Sequence, residues 1–173
     1  MRRIAAALAC VGLVLALSEA AVVRVRAQNP APGHREAARM HQATGSFEVK
    51  MAPQKADNPQ AEGAGLGRMS LDKQYHGDLE AASQGEMLSV LDRQKGSGGY
   101  VAMERVTGKL QGRSGSFVLQ HNATMNHGVP YLNIIVVPDT GTGELAGISG
   151  SMTIRIEGGQ HFYDFEYAID AGH

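Results

Sequence analysis

The sequence predicts an all-β domain: one eight-stranded antiparallel barrel behind an N-terminal export leader. Three observations carry this prediction. Glycine is dense, with 21 glycines among the 146 residues that follow position 27; that is about twice the ~7% of an average protein, and it opposes long helices while suiting tight turns and bulges. Apolar residues recur at every second position in segment after segment, the period of a half-buried strand. Turns bearing Gly, Asn or Asp separate these segments at short intervals, and no stretch has a convincing helical period. Closing eight such strands into a barrel leaves no exposed sheet edge, which makes the barrel the more economical arrangement than an open sandwich.

Residues 1–27 are set apart as a signal peptide. Met1-Arg2-Arg3 is a basic start, and Ile4–Leu17 is an apolar run too short to span a bilayer as a helix. Small residues follow, and cleavage after Ala20 or Ala27 fits the small-x-small rule, with Ala27 preferred. Cys10 lies inside the apolar run rather than at its end, so lipid anchoring is not expected, and the mature chain has no cysteine for a disulfide or thiolate site. Residues 28–42, with their Ala, Pro, Arg and His, read as a disordered tether. The barrel domain is placed at 43–170 and a short tail at 171–173. The protein is expected to be exported, periplasmic or extracellular, without membrane insertion once the leader is gone.

Within the domain, Thr44–Met51 alternates with Phe47, Val49 and Met51 on one side. Ala52–Gly65 is a loop. Leu66–His76 sets Met69, Leu71, Lys73 and Tyr75 against Arg68, Ser70, Asp72 and Gln74, and Gly77-Asp78 turns the chain into the longer strand Leu79–Leu91, bent at Gly85. After the turn Lys95–Gly99, the strands Tyr100–Leu110 and Ser114–Met125 form a hairpin. In its second arm Phe117, Leu119, His121, Ala123 and Met125 share a face. Asn126–Val129 turns into Tyr131–Val137. The last two strands, Ser151–Glu157 and His161–Asp170, flank Gly158-Gly159, a strong hairpin signal.

The segment Pro138–Gly150 holds four glycines between two β-branched runs, a compact turn that lets backbone pass close to backbone. Gly141–Ala146 formally matches the dinucleotide pattern G-x-G-x-x-A. That pattern works when a helix follows to hold the pyrophosphate, whereas here a turn and a strand follow. The mature chain has 12 Lys and Arg against 16 Asp and Glu, a net charge of −4, with no basic run. Nucleic acid is therefore not an expected partner.

Several segments occur in a telling order: Phe47–Val49, Leu66–Lys73, His76–Leu79, Glu104–Gly108, Gly112–His121 and Gly141–Gly147. Together they resemble a bacterial family of unassigned function whose members fold as small barrels like that of allene oxide cyclase. The likeness runs from about Ala43 to Asp170. The turn G-T-G-x-L-x-G is also similar to one in allene oxide cyclases and plant dirigent proteins, which hold apolar or reactive small molecules in a barrel and steer a ring closure or coupling. What the resemblance implies is a barrel and a small apolar ligand; no catalytic residue carries over by position. The leader and tether depart from the family's usual form, which begins close to the first strand.

The residues that could carry chemistry are few. His76, His121, His127 and His161 show no metal-ligand spacing, and no metal or cofactor is expected. His121 shares its face with Phe117 and Leu119, which points to a core histidine with a hydrogen-bonded partner or to a base within the barrel. Glu104 shares a face with Tyr100, Ala102 and Val106. Burial there would raise its pKa toward neutrality, unless an ion pair with Arg68 or Arg113 closes one barrel end. Glu104 and His121 are thus the candidate catalytic pair, expected inside the barrel and within reach of each other. Glu86 has a weaker claim. Gly112-Arg-Ser114-Gly-Ser116 misses the nucleophile-elbow pattern at its last position, and the glycosylation acceptor Asn122-Ala-Thr124 lies within a strand. Phe117, Leu119, Tyr131, Tyr163 and Phe165 are the residues expected to line a ligand cavity. Three functions stand open: a barrel binding a small apolar molecule without turnover, a cofactor-free isomerase or cyclase, and an envelope-associated structural or oligomerising module.

Overall fold

A computed structural model describes residues 39–56, 60 and 63–170. The leader, residues 28–38 of the tether and the 171–173 tail lie outside the described residues. The strands are β1 (His41–Pro53), β2 (Gly67–Gly77), β3 (Leu79–Asp92), β4 (Ser97–Leu110), β5 (Arg113–Asn126), β6 (Val129–Val136), β7 (Ile148–Glu157) and β8 (Gln160–Ile169). They close in sequence order into one antiparallel barrel, β8 pairing back onto β1.

The strand boundaries follow the alternation closely and differ mainly at strand starts; β6 begins at Val129 rather than Tyr131, and β7 at Ile148 rather than Ser151. Strand β1 begins at His41, because His41 and Gln42 pair with Tyr167 and Glu166 of β8. Strand β4 begins at Ser97, so Gly98 and Gly99, expected in the turn, are ladder residues opposite Met125 and Thr124. The β3–β4 ladder consequently runs from Leu79–Leu110 to Asp92–Ser97.

The two ends of the barrel differ. One end is filled: Leu79, Leu110, Phe117, Leu145, Ile148, Tyr163, Phe165 and Tyr167 are buried there. Phe165 stacks on Phe117 and Tyr167 with ring centroids 5.6 and 5.3 Å apart. At the other end the long strands β3, β4 and β5 run past their neighbours. Their last inward-facing side chains are left open to solvent, among them Leu91 and Met125.

The glycine-rich connection between β6 and β7 belongs to the filled end. Strands β6 and β7 share only the pairs Ile134–Met152 and Ile135–Ser151. Residues 138–142 lie beside β5, where threonine hydroxyls replace missing strand acceptors. Thr140 Oγ1 accepts from Val118 N–H and Thr142 Oγ1 from Ser116 N–H, each at 3.0 Å. A short 3-10 turn, Gly143–Leu145, then drops Leu145 into the core. The segment is thus a plug and a seam, and a strand follows it.

Gly147, at the exit of this turn, has φ +77°, and a Cβ there would lie 2.4 Å from the carbonyl oxygen of Asp170. Both the left-handed conformation and the contact exclude a branched side chain. Gly147→Val is expected to destabilise the barrel by about 1–3 kcal/mol, read as a lower thermal midpoint. An unchanged midpoint would show that the segment is not part of the packed structure.

Candidate functional site

Ladder register sorts the inward side chains of β3, β4, β5 and β6 into rows. Opposite residues share a row, and successive rows lie about 6.8 Å apart along the strands. The outermost row is Leu91, Gly98, Met125 and Pro130, and the next is Ser89, Tyr100, Ala123 and Leu132. Together with Met87 these residues line a cleft of about 390 Å³ at the open end, with Tyr131 on its rim. The row beneath holds Met87, Ala102, His121 and Ile134, and below that lie Gly85, Glu104, Leu119 and Val136. The filled core begins there.

A compact polar network occupies the boundary between cleft and core. Glu104 is 1% exposed, and four donors converge on its carboxylate. Oε1 accepts from Lys73 Nζ at 2.8 Å, His121 Nε2 at 2.9 Å and Tyr75 Oη at 3.0 Å. Oε2 accepts from Ser83 Oγ at 2.6 Å. Lys73 Nζ also donates to Tyr75 Oη at 3.3 Å and stands over the Phe47 ring, 4.9 Å from its centroid. These donors come from β2, β3 and β5, so the network ties four neighbouring strands together through the carboxylate on β4. Among the described residues, no buried side-chain nitrogen or oxygen lacks a hydrogen-bond partner.

Gly85 makes room for the carboxylate. It stands directly opposite Glu104, and a Cβ at Gly85 would lie 2.2 Å from the Met103 carbonyl oxygen and 2.7 Å from Glu104 Cβ. The bend expected at Gly85 is therefore a close approach between β3 and β4 at the network.

The electrostatics decide between the two readings of Glu104. Burial drives the Glu104 carboxyl upward, but the His121 hydrogen bond and the charge of Lys73 outweigh it. They hold the carboxyl at about 2, below its ordinary 4.5. Glu104 therefore stays ionised and does not trade protons near neutrality. Its charge is felt nearby: burial and the carboxylate push the Tyr75 hydroxyl well above its usual value, and the same two causes raise Tyr100 in the cleft.

The candidate residues divide as follows. Glu104 and His121 both point inward and touch. Lys73 fills the place offered to Arg68 or Arg113; Arg68 instead pairs with Glu86 at 2.7 Å on the outer face, which also takes Glu86 out of the interior. Phe117, Leu119, Tyr163 and Phe165 have no exposed surface and form core beneath the network rather than lining for the cleft. Tyr131, 60% exposed and opposite Thr124 in the β5–β6 ladder, lies on the rim of the cleft. Sequence reasoning missed Lys73, Tyr75 and Ser83 as site residues. A signal existed in β2, where Lys73 alternates in phase with Leu71 and Tyr75, an apolar face on which a lysine needs an anion. Among the described residues, no group of three or more His, Cys, Asp or Glu could hold a metal ion.

A family model described as "Protein of unknown function (DUF3224)" matches residues 43–167, and the chain belongs to that family. Among solved structures it is similar to a protein of unknown function from the same family, from Shewanella oneidensis MR-1. The two are 52% identical, with a TM-score of 0.69, over 76% of this chain and 98% of the other. No curated protein matches the chain.

The Glu104 environment has a consequence for acid stability. A carboxyl that titrates at about 2 when folded and near 4.5 otherwise contributes stability that is fully present above pH 4.5. That contribution is lost as pH falls through about 2. The stability gap between wild type and Glu104→Gln is therefore expected to be widest above pH 4.5 and to close toward pH 2, as read by denaturant titration at a series of pH values. A gap that stayed constant over this range would contradict the placement of an ionised carboxylate.

Proposed function

We propose that this barrel binds a small, largely apolar molecule at its open end, without turnover. The observation that carries this reading is the cleft of about 390 Å³ formed by Met87, Leu91, Tyr100, Ala123, Met125 and Leu132. Its size falls within the ~300–1,000 Å³ of small-molecule sites, and its apolar walls over a few polar groups are their usual composition. Met87 and Met125 are unbranched and polarizable, which lets the walls adapt to an occupant. The filled opposite end leaves the mouth as the route of entry. The likeness to allene oxide cyclases and dirigent proteins supports an apolar occupant. With an export leader ahead of it, the barrel would meet that molecule outside the cytoplasm.

A second reading, a cofactor-free isomerase or cyclase acting in the same cleft, draws on the 2.9 Å contact between Glu104 and His121. An ionised carboxylate behind an imidazole is an arrangement that orients a base. In this reading Glu104 positions and His121 exchanges the proton, since the carboxyl itself is held ionised.

The test of the binding reading is fluorescence titration with Nile red, an apolar dye. Wild type is expected to bind it saturably. Leu132→Arg, which places a charge in a lining position that is 38% exposed, should weaken binding at least about tenfold. The outward Val101→Arg should leave it unchanged. Absence of saturable binding, or a Leu132→Arg variant that binds like wild type, would overturn the reading.

A further inference from the structure

Resting on the binding reading, we propose that the molecule held in the cleft carries an uncharged carbonyl group whose oxygen accepts a hydrogen bond from the Tyr100 hydroxyl. The site then takes ketones and aldehydes in preference to hydrocarbons of the same shape.

Tyr100 and Ser89 stand directly opposite in the β3–β4 ladder, and both line the cleft. The side chains of Met87, Leu91, Ala123, Met125 and Leu132 around them carry no hydrogen-bond donor. None of the hydrogen bonds among the described residues uses Tyr100 Oη or Ser89 Oγ. Every buried side-chain oxygen among those residues nevertheless has a partner. Both hydroxyls therefore touch accessible space, and the space that these partly buried, inward-facing residues border is the cleft.

Of the two hydroxyls, Tyr100 is the one committed to an incoming group. A serine hydroxyl can turn to neighbouring backbone, whereas the phenol is held away from its own backbone by a rigid ring. Burial and the ionised Glu104, two inward positions deeper on β4, raise the Tyr100 hydroxyl and keep its hydrogen in place. The hydroxyl is thus a donor whose hydrogen no protein group takes. The carboxylate charge is felt at that oxygen although Lys73 pairs with Glu104, and it opposes an anionic ligand in the same place. A hydrocarbon filling the cleft would strip water from the hydroxyl and leave it unpaired, while a carbonyl oxygen restores the bond.

The experiment is a calorimetric titration at pH 7 with three probes. They are 2-acetylnaphthalene, 2-isopropenylnaphthalene, in which a methylene group replaces the ketone oxygen, and 2-naphthoate. Wild type is expected to bind the ketone at least about threefold more tightly than the alkene, the worth of one net hydrogen bond. It should bind the naphthoate more weakly than the ketone. Tyr100→Phe breaks no bond within the barrel and should abolish the ketone preference while the alkene still binds. Equal affinities for ketone and alkene in wild type, tighter binding of naphthoate, or a ketone preference that survives Tyr100→Phe would overturn the inference and leave the binding reading standing. Failure of both ketone and alkene to bind would overturn the two together. Should Tyr100→Phe not fold, ¹³C NMR of the unmodified protein decides: the Tyr100 Cζ resonance should move further with the ketone than with the alkene. Equal movement with both bound would overturn the inference.

Discussion

A carboxylate enclosed in a barrel has to be satisfied by the barrel's own donors, because water cannot reach it. An isolated buried charge would cost far more than a domain of this size can spare. Glu104 meets the condition with four donors drawn from three other strands. The requirement acts in both directions. Lys73, Tyr75, Ser83 and His121 are each polar groups on an inward face, and each finds in Glu104 the acceptor that makes its burial tolerable. Losing the carboxylate would strand Lys73 as an unpaired cation, so the group is mutually dependent rather than a sum of separate contacts.

The position of this network divides the barrel into two regimes. On one side, aromatic rings and the inserted Leu145 leave no accessible surface, so that half supplies rigidity. On the other, the strands β3 to β5 outrun their neighbours and leave an apolar mouth. The network lies in the rows below that mouth, backed by the core. Gly85 contributes by absence, since any side chain there would occupy the space of Glu104.

What could be read from the sequence depended on how local the information was. Strand alternation identifies inward faces without knowledge of the partner strand, and it places Glu104 and His121 inside. These two also belong to one hairpin, β4–β5, closed by Gln111 and Gly112, so their proximity follows from a short turn. Lys73 and Ser83 belong to the β2–β3 hairpin, and their meeting with Glu104 depends on the β3–β4 register, which alternation leaves free. For the same reason alternation left open whether Glu104 is raised by burial or held ionised by an ion pair: burial was legible, but which cation and donors outweigh it was not. Tyr131, opposite Thr124 in the β5–β6 ladder, reaches the cleft from its rim rather than from the inward face.

The central claim is that the barrel is built around a carboxylate kept ionised by convergent donors. It is tested most directly by following the ¹³Cδ chemical shift of Glu104 as pH is lowered. The account predicts a side chain that remains ionised through the ordinary carboxylate range and titrates only near pH 2. A Glu104 resonance that titrates at 4.5 or above would contradict it.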